Sequence, residues 1–529
     1  MHRRSFIAGT AAALAVPLAA PSIGRAANAG TLRFVPDADL ATLDPVWTTS
    51  YQSRDHGFLV YDTLFGQDAS FKPTVQMLEG FVIEDDGKRY RMALRRNLKF
   101  HDGTPVLARD CVASIARWGK RDAFGQALMA AVDELSAPDD RTIVFRLKAP
   151  FPLLPDALGK TSPSMCPIMP ERLAQTDAFT QVKDATGSGP YRYKADERVP
   201  GARVVYEKFA GYVPRDNGKA ERTAGPKVAY FDRVEWNILP DASTASAALL
   251  RGEVDWWYTP VADLLPSLRH SKDIRIETIV PTGIIATMRF NQTQAPFNNP
   301  ALRRAILGAV QQSDYMTAVM GEDTKLWRDQ VGYFCPDTPM ASTAGMSALT
   351  SPRDMDRVKR EVEAAGYKGE RVVLLSPQDI ASVKSLAEVT ADVLKRSGFN
   401  VDAQAMDWAT AVQRRTNSGP VDQGGWSIFQ TSWAGLDQFN PAGHIFLRAN
   451  GKNAAPGWPS SEKLEALRTE WFAANDLAAQ KKICEQIQLQ AFQDVPYIPL
   501  GQTLPPTAYR ADLSGVLDGL PLFWNVKRG

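Results

Sequence analysis

The sequence predicts an α/β protein. Strand-like and helix-like segments alternate along the whole chain. No heptad array, repeat period or low-complexity tract interrupts them. Over 529 residues, 44% hydrophobic and 23% charged positions give an ordinary globular composition, with length for roughly three core-sized units.

The strands come first. Residues 31–37 (TLRFVPD), 141–149 (RTIVFRLKA), 203–209 (RVVYEKF) and 227–239 (KVAYFDRVEWNIL) alternate or cluster apolar residues as strands do. Helical spacing is clearest over 299–320, where Leu302, Ile306 and Val310 recur on one face and Pro300 marks a start. Residues 460–474 and 476–493 read as two more amphipathic helices. Gly/Pro clusters at 185–191, 280–286 and 494–501 are candidate breaks between units.

Residues 98–118, LKFHDGTPVLARDCVASIARW, hold a strand end at Leu98–Phe100 and a turn at Asp102-Gly103. A helix follows from Ala108 with Cys111, Val112 and Ile115 on its apolar face. Pro105 is expected to stop regular pairing, and His101 to hydrogen-bond locally near the turn. Cys111 is expected as a buried small hydrophobe.

Residues 1–29 read as an export signal. Arg3 and Arg4 precede an apolar run that ends near Ala20, and Ala27-Asn28-Ala29 gives a small-x-small cleavage pattern. The Arg-Arg-Ser-Phe-Ile order is that of a twin-arginine address rather than an anchor. The mature protein is therefore expected in the bacterial periplasm. Removing three arginines and no acidic residue takes the net charge from +2 to −1. A dispersed charge near zero lacks the basic stripe that nucleic acid would require.

Catalytic signatures are missing. With five histidines there is no HExxH or HxH, and no GxSxG, GxGxxG or GxxxxGK[ST] occurs. The reading is of a non-enzyme without metal or cofactor. Four cysteines, Cys111, Cys166, Cys335 and Cys484, leave one or two disulfides possible in an oxidising compartment.

The 98–118 stretch strongly resembles the signature of the family-5, peptide/nickel-type extracellular solute-binding proteins of ABC importers, which include dipeptide- and oligopeptide-binding proteins. Residues 187–193 (GSGPYRY), 252–260 (GEVDWWYTP) and 288–306 (MRFNQTQAPFNNPALRRAI) agree with it in order. So do LDPVWTTS near the mature start and DVPYIPLG near the end. One departure is Leu107, where the family usually has Thr as helix N-cap.

That resemblance implies a two-lobed periplasmic binding protein of type II, a hinged clamp with an extra subdomain in the first lobe. The expected partition is 30–75, 188–282 and 497–529 for the first lobe, 76–187 for the extra subdomain, and 283–496 for the second lobe. It also implies a monomer that captures a small-molecule or peptide ligand for an ABC transporter membrane permease. Thr49, Ser50 and Tyr51 fall where the first-lobe loop touches ligand, and Trp257 and Tyr258 at a hinge-side pocket. Trp408 falls at a second-lobe aromatic wall, with Trp426 and Trp433 as additions to it; the competing reading for each tryptophan is core. Arg289 reads either as partner to a ligand carboxylate or as a solvated strand residue. Peptide-binding relatives grip the ligand's amino terminus with an aspartate in a Gly-Trp-x-x-Asp stretch. Here, counted from Trp433, that place holds Leu436, Asp437 follows it, and Ser432 stands for the glycine. Either Asp437 takes the role through a small shift, or the receptor does not bind a free α-amine in the usual way. The alternatives are the same receptor for a non-peptide solute (an opine, glutathione-like conjugate, sugar, aromatic or metal chelate), and more remotely a secreted hydrolase or periplasmic chaperone.

Overall fold

Two large sheets, a four-stranded one and two two-stranded ribbons organise the chain in a computed structural model that describes residues 30–529. The export signal expected over 1–29 lies outside the described residues. The seven-stranded first sheet runs Ile274–Glu277, Thr507–Arg510, Trp256–Trp257, Thr31–Val35, Arg233–Asn237, Arg203–Lys208, Tyr191–Tyr193. Its Thr31–Val35 strand pairs in parallel with both neighbours, and the remaining pairs are antiparallel. Phe34 anchors the core on one face, with Trp256 at 5.2 Å and Phe523 at 4.9 Å between ring centroids. Edge-on aromatic packing of this kind adds to what burial alone supplies.

The six-stranded second sheet runs Trp327–Arg328, Tyr497–Thr503, Ile284–Phe290, Ile428–Ala434, Arg371–Pro377, Asn400–Met406. Arg371–Pro377 is buried along all but its first residue, as a strand covered on both faces must be. It pairs in parallel with Asn400–Met406 across the helix Ala381–Arg396. The chain passes between the large sheets twice, over 278–283 and over 504–506. The second passage corrects the expected boundary at 496. Tyr497–Thr503 pairs along Ile284–Phe290 and belongs to the second sheet, because its apolar residues are buried on both faces there.

The helix expected over 299–320 is two helices, Pro300–Ala309 and Gln312–Met320, separated by extended backbone at Val310 and Gln311. The reason lies in the Gln312 amide. It donates to the Val331 and Pro499 carbonyls and accepts from the Val331 N–H, each at 2.8 Å, which fixes the second helix in its own direction.

A four-stranded sheet, in the order Leu78–Glu84, Arg89–Leu94, Thr142–Leu147, Val132–Ser136, is backed by the helix Ala108–Gly119. Cys111, Ile115 and Trp118 are all fully buried on that helix. Leu107 occupies its N-cap without a side-chain cap, and Asp110 compensates by accepting the Leu107 N–H at 2.8 Å. Three features of the 98–118 stretch differ from expectation. Leu98–Phe100 is not the end of a strand, which stops at Leu94. Pro105 does not stop pairing but bridges to Lys99, because Thr104 and Val106 supply the hydrogen bonds on either side. His101 does not bond locally. Its Nδ1 accepts the Gly187 N–H at 3.2 Å and its Nε2 meets the Gly189 carbonyl at 3.0 Å. The proton is therefore on Nε2. The glycine at 187 is required by packing, since a Cβ there would sit 2.0 Å from the Val60 carbonyl oxygen. Disulfides are absent too: all four cysteines are free and buried.

The small sheet does not stand apart from the second lobe. Phe124 and Phe151 pack against Phe472 on the helix Glu462–Ala473, with centroids 6.0 and 6.2 Å apart.

Burial lowers the His101 pKa from 6.5 to about 4. The unfolded chain thus takes up the proton first, and the residue's contribution to stability is full above pH 6.5 and lost as pH falls toward 4. His101→Ala leaves two buried backbone groups without partners. Urea unfolding should show a loss of about 2 kcal/mol at pH ~7.5, with the difference from the parent shrinking at pH ~5.

Candidate functional site

The site begins with a helix that has no apolar stripe. Tyr51–Val60 reads YQSRDHGFLV, yet Ser53 through Val60 are all buried. A polar sequence in such a place must satisfy its charges internally. Arg54 pairs with Asp55 at 2.8 Å, both nearly inaccessible, and lies 4.9 Å from the Tyr51 ring centroid. Burial pushes Asp55 up to about 6, against the lowering pull of Arg54. His56 is held neutral, its pKa down to about 3 through burial, with Nδ1 2.9 Å from the Tyr206 hydroxyl.

Opposite this helix the strand Ile428–Ala434 runs into a tight turn, Gly435–Gln438. Glycine is obligatory at 435: its N–H donates to the Gly283 carbonyl, and a Cβ would fall 1.9 Å from the Thr282 carbonyl oxygen. The turn delivers Asp437 to the space between the lobes, 2% exposed. One carboxylate oxygen accepts from the Tyr51 hydroxyl and the other from Ser162 Oγ, each at 2.6 Å. The Ala434 N–H in turn donates to the Tyr51 oxygen at 2.8 Å. Among the described residues no cation touches the carboxylate. Burial raises the Asp437 pKa, and the two hydroxyls with the more distant charges of Arg54 and Lys160 only partly oppose it.

Cavities lie on both sides of this bridge. One of about 660 Å³ sits under the two passages between the sheets, lined by Tyr51, Arg54, Tyr258, Ile279, Ile284 and Leu436 among others. The other, about 460 Å³, opens toward the small sheet and includes Phe71, Asp156, Lys160, Ser162, Leu436 and Phe439. Leu436 is a wall of both.

Of the residues singled out in the sequence, Tyr51, Tyr258 and Asp437 come together here, with Leu436 beside them. The others do not. Thr49 is exposed, and the Ser50 hydroxyl turns to Gln52 at 2.8 Å. Trp257 points to the opposite face of its strand from Tyr258, into a cluster with Val35, Leu249 and Ala508. Trp426 is completely buried, 5.0 Å from Phe429 and 6.0 Å from Trp458 between ring centroids. Trp433 is half-buried against Phe446, and Trp408 is half-buried at the start of the helix Trp408–Arg414. Among the described residues no tryptophan lines either cavity: Trp257 and Trp426 are core, and Trp408 and Trp433 are half-buried outside them. Arg289 is neither solvated nor in the cavities. It is fully buried inside the second lobe, 4.0 Å from the Phe446 centroid, and donates to the Pro456 carbonyl at 2.7 Å. Burial lowers its pKa to about 9. Sequence reasoning missed Arg54, Ser162, Lys160 and Asp156. The unstriped helix 51–60 carried a signal for Arg54, since charges in a helix that must be buried mark a site; residues 156–162 carried none.

Among the described residues no cluster of His, Cys, Asp and Glu is arranged to hold a metal. Residues 72–453 match the family model for bacterial extracellular solute-binding proteins, family 5. The chain belongs to that family. It is 37% identical to a probable peptide ABC transporter periplasmic-binding protein of Sinorhizobium fredii, over 100% of this chain and 99% of the relative. It is 23% identical to the glutathione-binding protein GsiB of Escherichia coli, covering 90% of each. As a fold, this family-5 protein is similar to the periplasmic binding protein DppA of Helicobacter pylori in complex with peptide STSA (TM-score 0.76, 20% identity, 94% of this chain and 98% of that one). It is equally similar to AgaA of A. tumefaciens in complex with agropinic acid (TM-score 0.75, 20% identity, 94% and 99%).

Because Trp426 is core, Trp426→Ala should lower the free energy of chemical unfolding by about 3–5 kcal/mol.

Proposed function

We propose that this chain is a periplasmic receptor that closes on a di- or oligopeptide between its lobes and presents it to the membrane permease of an ABC importer. The observation that carries the reading is Asp437: a buried carboxylate between the lobes that, among the described residues, is bonded by two hydroxyls and has no cation against it. A peptide's ammonium supplies the missing charge, and hydroxyl groups on two sides orient the acceptor for it. In this reading Asp437 serves where Leu436 stands in the expected spacing, and Leu436 becomes a wall. The lobes are 30–75, 188–282 and 504–529 for the first, 76–187 for its extra subdomain, and 283–503 for the second. Tyr51 and Tyr258 face the ligand from the first lobe.

Binding of this kind needs no turnover, since closure shifts a population between open and closed forms. The export signal read over 1–29 supports the periplasmic location, and among the described residues no helix is long and apolar enough to cross a membrane. The relative in Sinorhizobium fredii supports the peptide class. A non-peptide solute is the second reading, favoured by one observation: the aspartate is displaced by one position from the usual stretch, which alters the geometry offered to an α-amine.

Two measurements check this. Mass spectrometry of small molecules released on unfolding the purified mature protein should show peptides; a single non-peptide compound would replace the first reading by the second. In calorimetry, Asp437→Asn should weaken a free-amine tripeptide roughly 100-fold, because a buried ammonium then loses its counter-charge. Unchanged affinity would remove Asp437 from the role.

A further inference from the structure

The cavity on the small-sheet side of Asp437 contains a carboxylate that, among the described residues, no other side chain pairs with. Asp156 lines it from the short helix Leu154–Gly159 and has no side-chain partner, whether ion pair or hydrogen bond. Its surroundings push the carboxyl up to about 7, almost wholly by desolvation. The residue is nevertheless only half-buried. A group enclosed by protein yet still accessible faces a cavity rather than bulk water.

The rest of the wall says what could meet it. Lys160, one turn further on, is already committed: its Nζ lies 2.5 Å from Asp122. The compartment's one cation is thereby neutralised, and Asp156 is left as the uncompensated charge. Phe71 and Phe439 stack across the lobes at 5.2 Å and 25°, and Phe124 adds a third ring. The second face of Phe71 is covered by the Arg222 guanidinium at 4.5 Å. These rings therefore offer contact to methylene groups rather than a free face to a cation. A mixed passage with Phe71, Phe124, Leu436 and Phe439 on its apolar side, ending at a carboxylate, fits a long basic side chain, whose stem packs and whose head pairs.

We propose that this cavity is a side-chain compartment selecting ligands with a basic group, Asp156 being its acceptor. The proposal rests on the peptide reading above. It also assigns which side chain enters. Ser162 lines the cavity and bonds one oxygen of Asp437, so the residue whose ammonium meets Asp437 lies next to this compartment. The selected residue is the ligand's first.

Calorimetry on the intact mature protein with lysyl-alanyl-alanine and norleucyl-alanyl-alanine separates the outcomes, since the two differ only in the basic head. The lysyl peptide should bind at least ~10-fold tighter to the parent, and Asp156→Asn should abolish that difference. Equal binding of both peptides to the parent overturns the proposal, with no dependence on how the variant folds. So does a preference that persists in Asp156→Asn. In both cases the norleucyl peptide still binds and the peptide reading stands. If neither peptide binds, that reading fails and the proposal with it.

Discussion

A carboxylate between two lobes, away from water and without a cation, is the constraint around which the site is arranged. Leaving such a charge unpaired costs several kcal/mol, and hydrogen bonds recover only part of that. Asp437 is given two hydroxyl donors, and they come from separated parts of the chain: Tyr51 on a helix of the first lobe and Ser162 beside the small sheet. Closing the lobes is thus coupled to satisfying one group. Its neighbour Leu436 walls two chemically different spaces, an apolar one near the interlobe passages and a mixed one near the small sheet.

Holding that geometry is the task of the tight corners rather than of the site itself. His101 ties the turn at 101–104 to Gly187 and Gly189, whose backbone lies directly on the end of the helix that carries Tyr51. A residue that reads as catalytic in isolation, a histidine next to an aspartate, acts as a neutral backbone clamp. Burial keeps it neutral, and neutrality lets one ring nitrogen accept while the other donates. The helix 51–60 is fixed at its far end by this clamp and along its length by the internal Arg54–Asp55 pair.

Much of the architecture was legible in the sequence, for a physical reason: strands at Thr31–Val35, Thr142–Leu147 and Arg203–Lys208 declare themselves through local alternation. The helix break at Val310 was not, because it depends on a glutamine reaching residues 19 and 187 positions away. At the site, Asp437 and Tyr51 were reachable through the family resemblance, whereas Ser162 and Asp156 sit in a loop and a short helix with no periodic pattern. The tryptophans misled. Their size makes them as useful in a core as in a binding wall, and Trp257 beside Tyr258 shows that strand alternation decides between the two: the tyrosine faces the cavity and its neighbour faces away.

The order of the first sheet bears on how the protein is made. Thr507–Arg510 is not an edge strand; it lies between Ile274–Glu277 and Trp256–Trp257. Nearly the last strand to leave the ribosome must therefore enter the middle of a sheet whose other members were synthesised long before. Until it does, two strands present unpaired edges, and the first lobe cannot complete itself during translation. The second lobe waits almost as long, since Tyr497–Thr503 lies between Trp327–Arg328 and Ile284–Phe290 in its own sheet. A nascent chain of this kind is one whose N-terminal half waits for its C-terminus, and such chains have the greatest need of shielding from association until then.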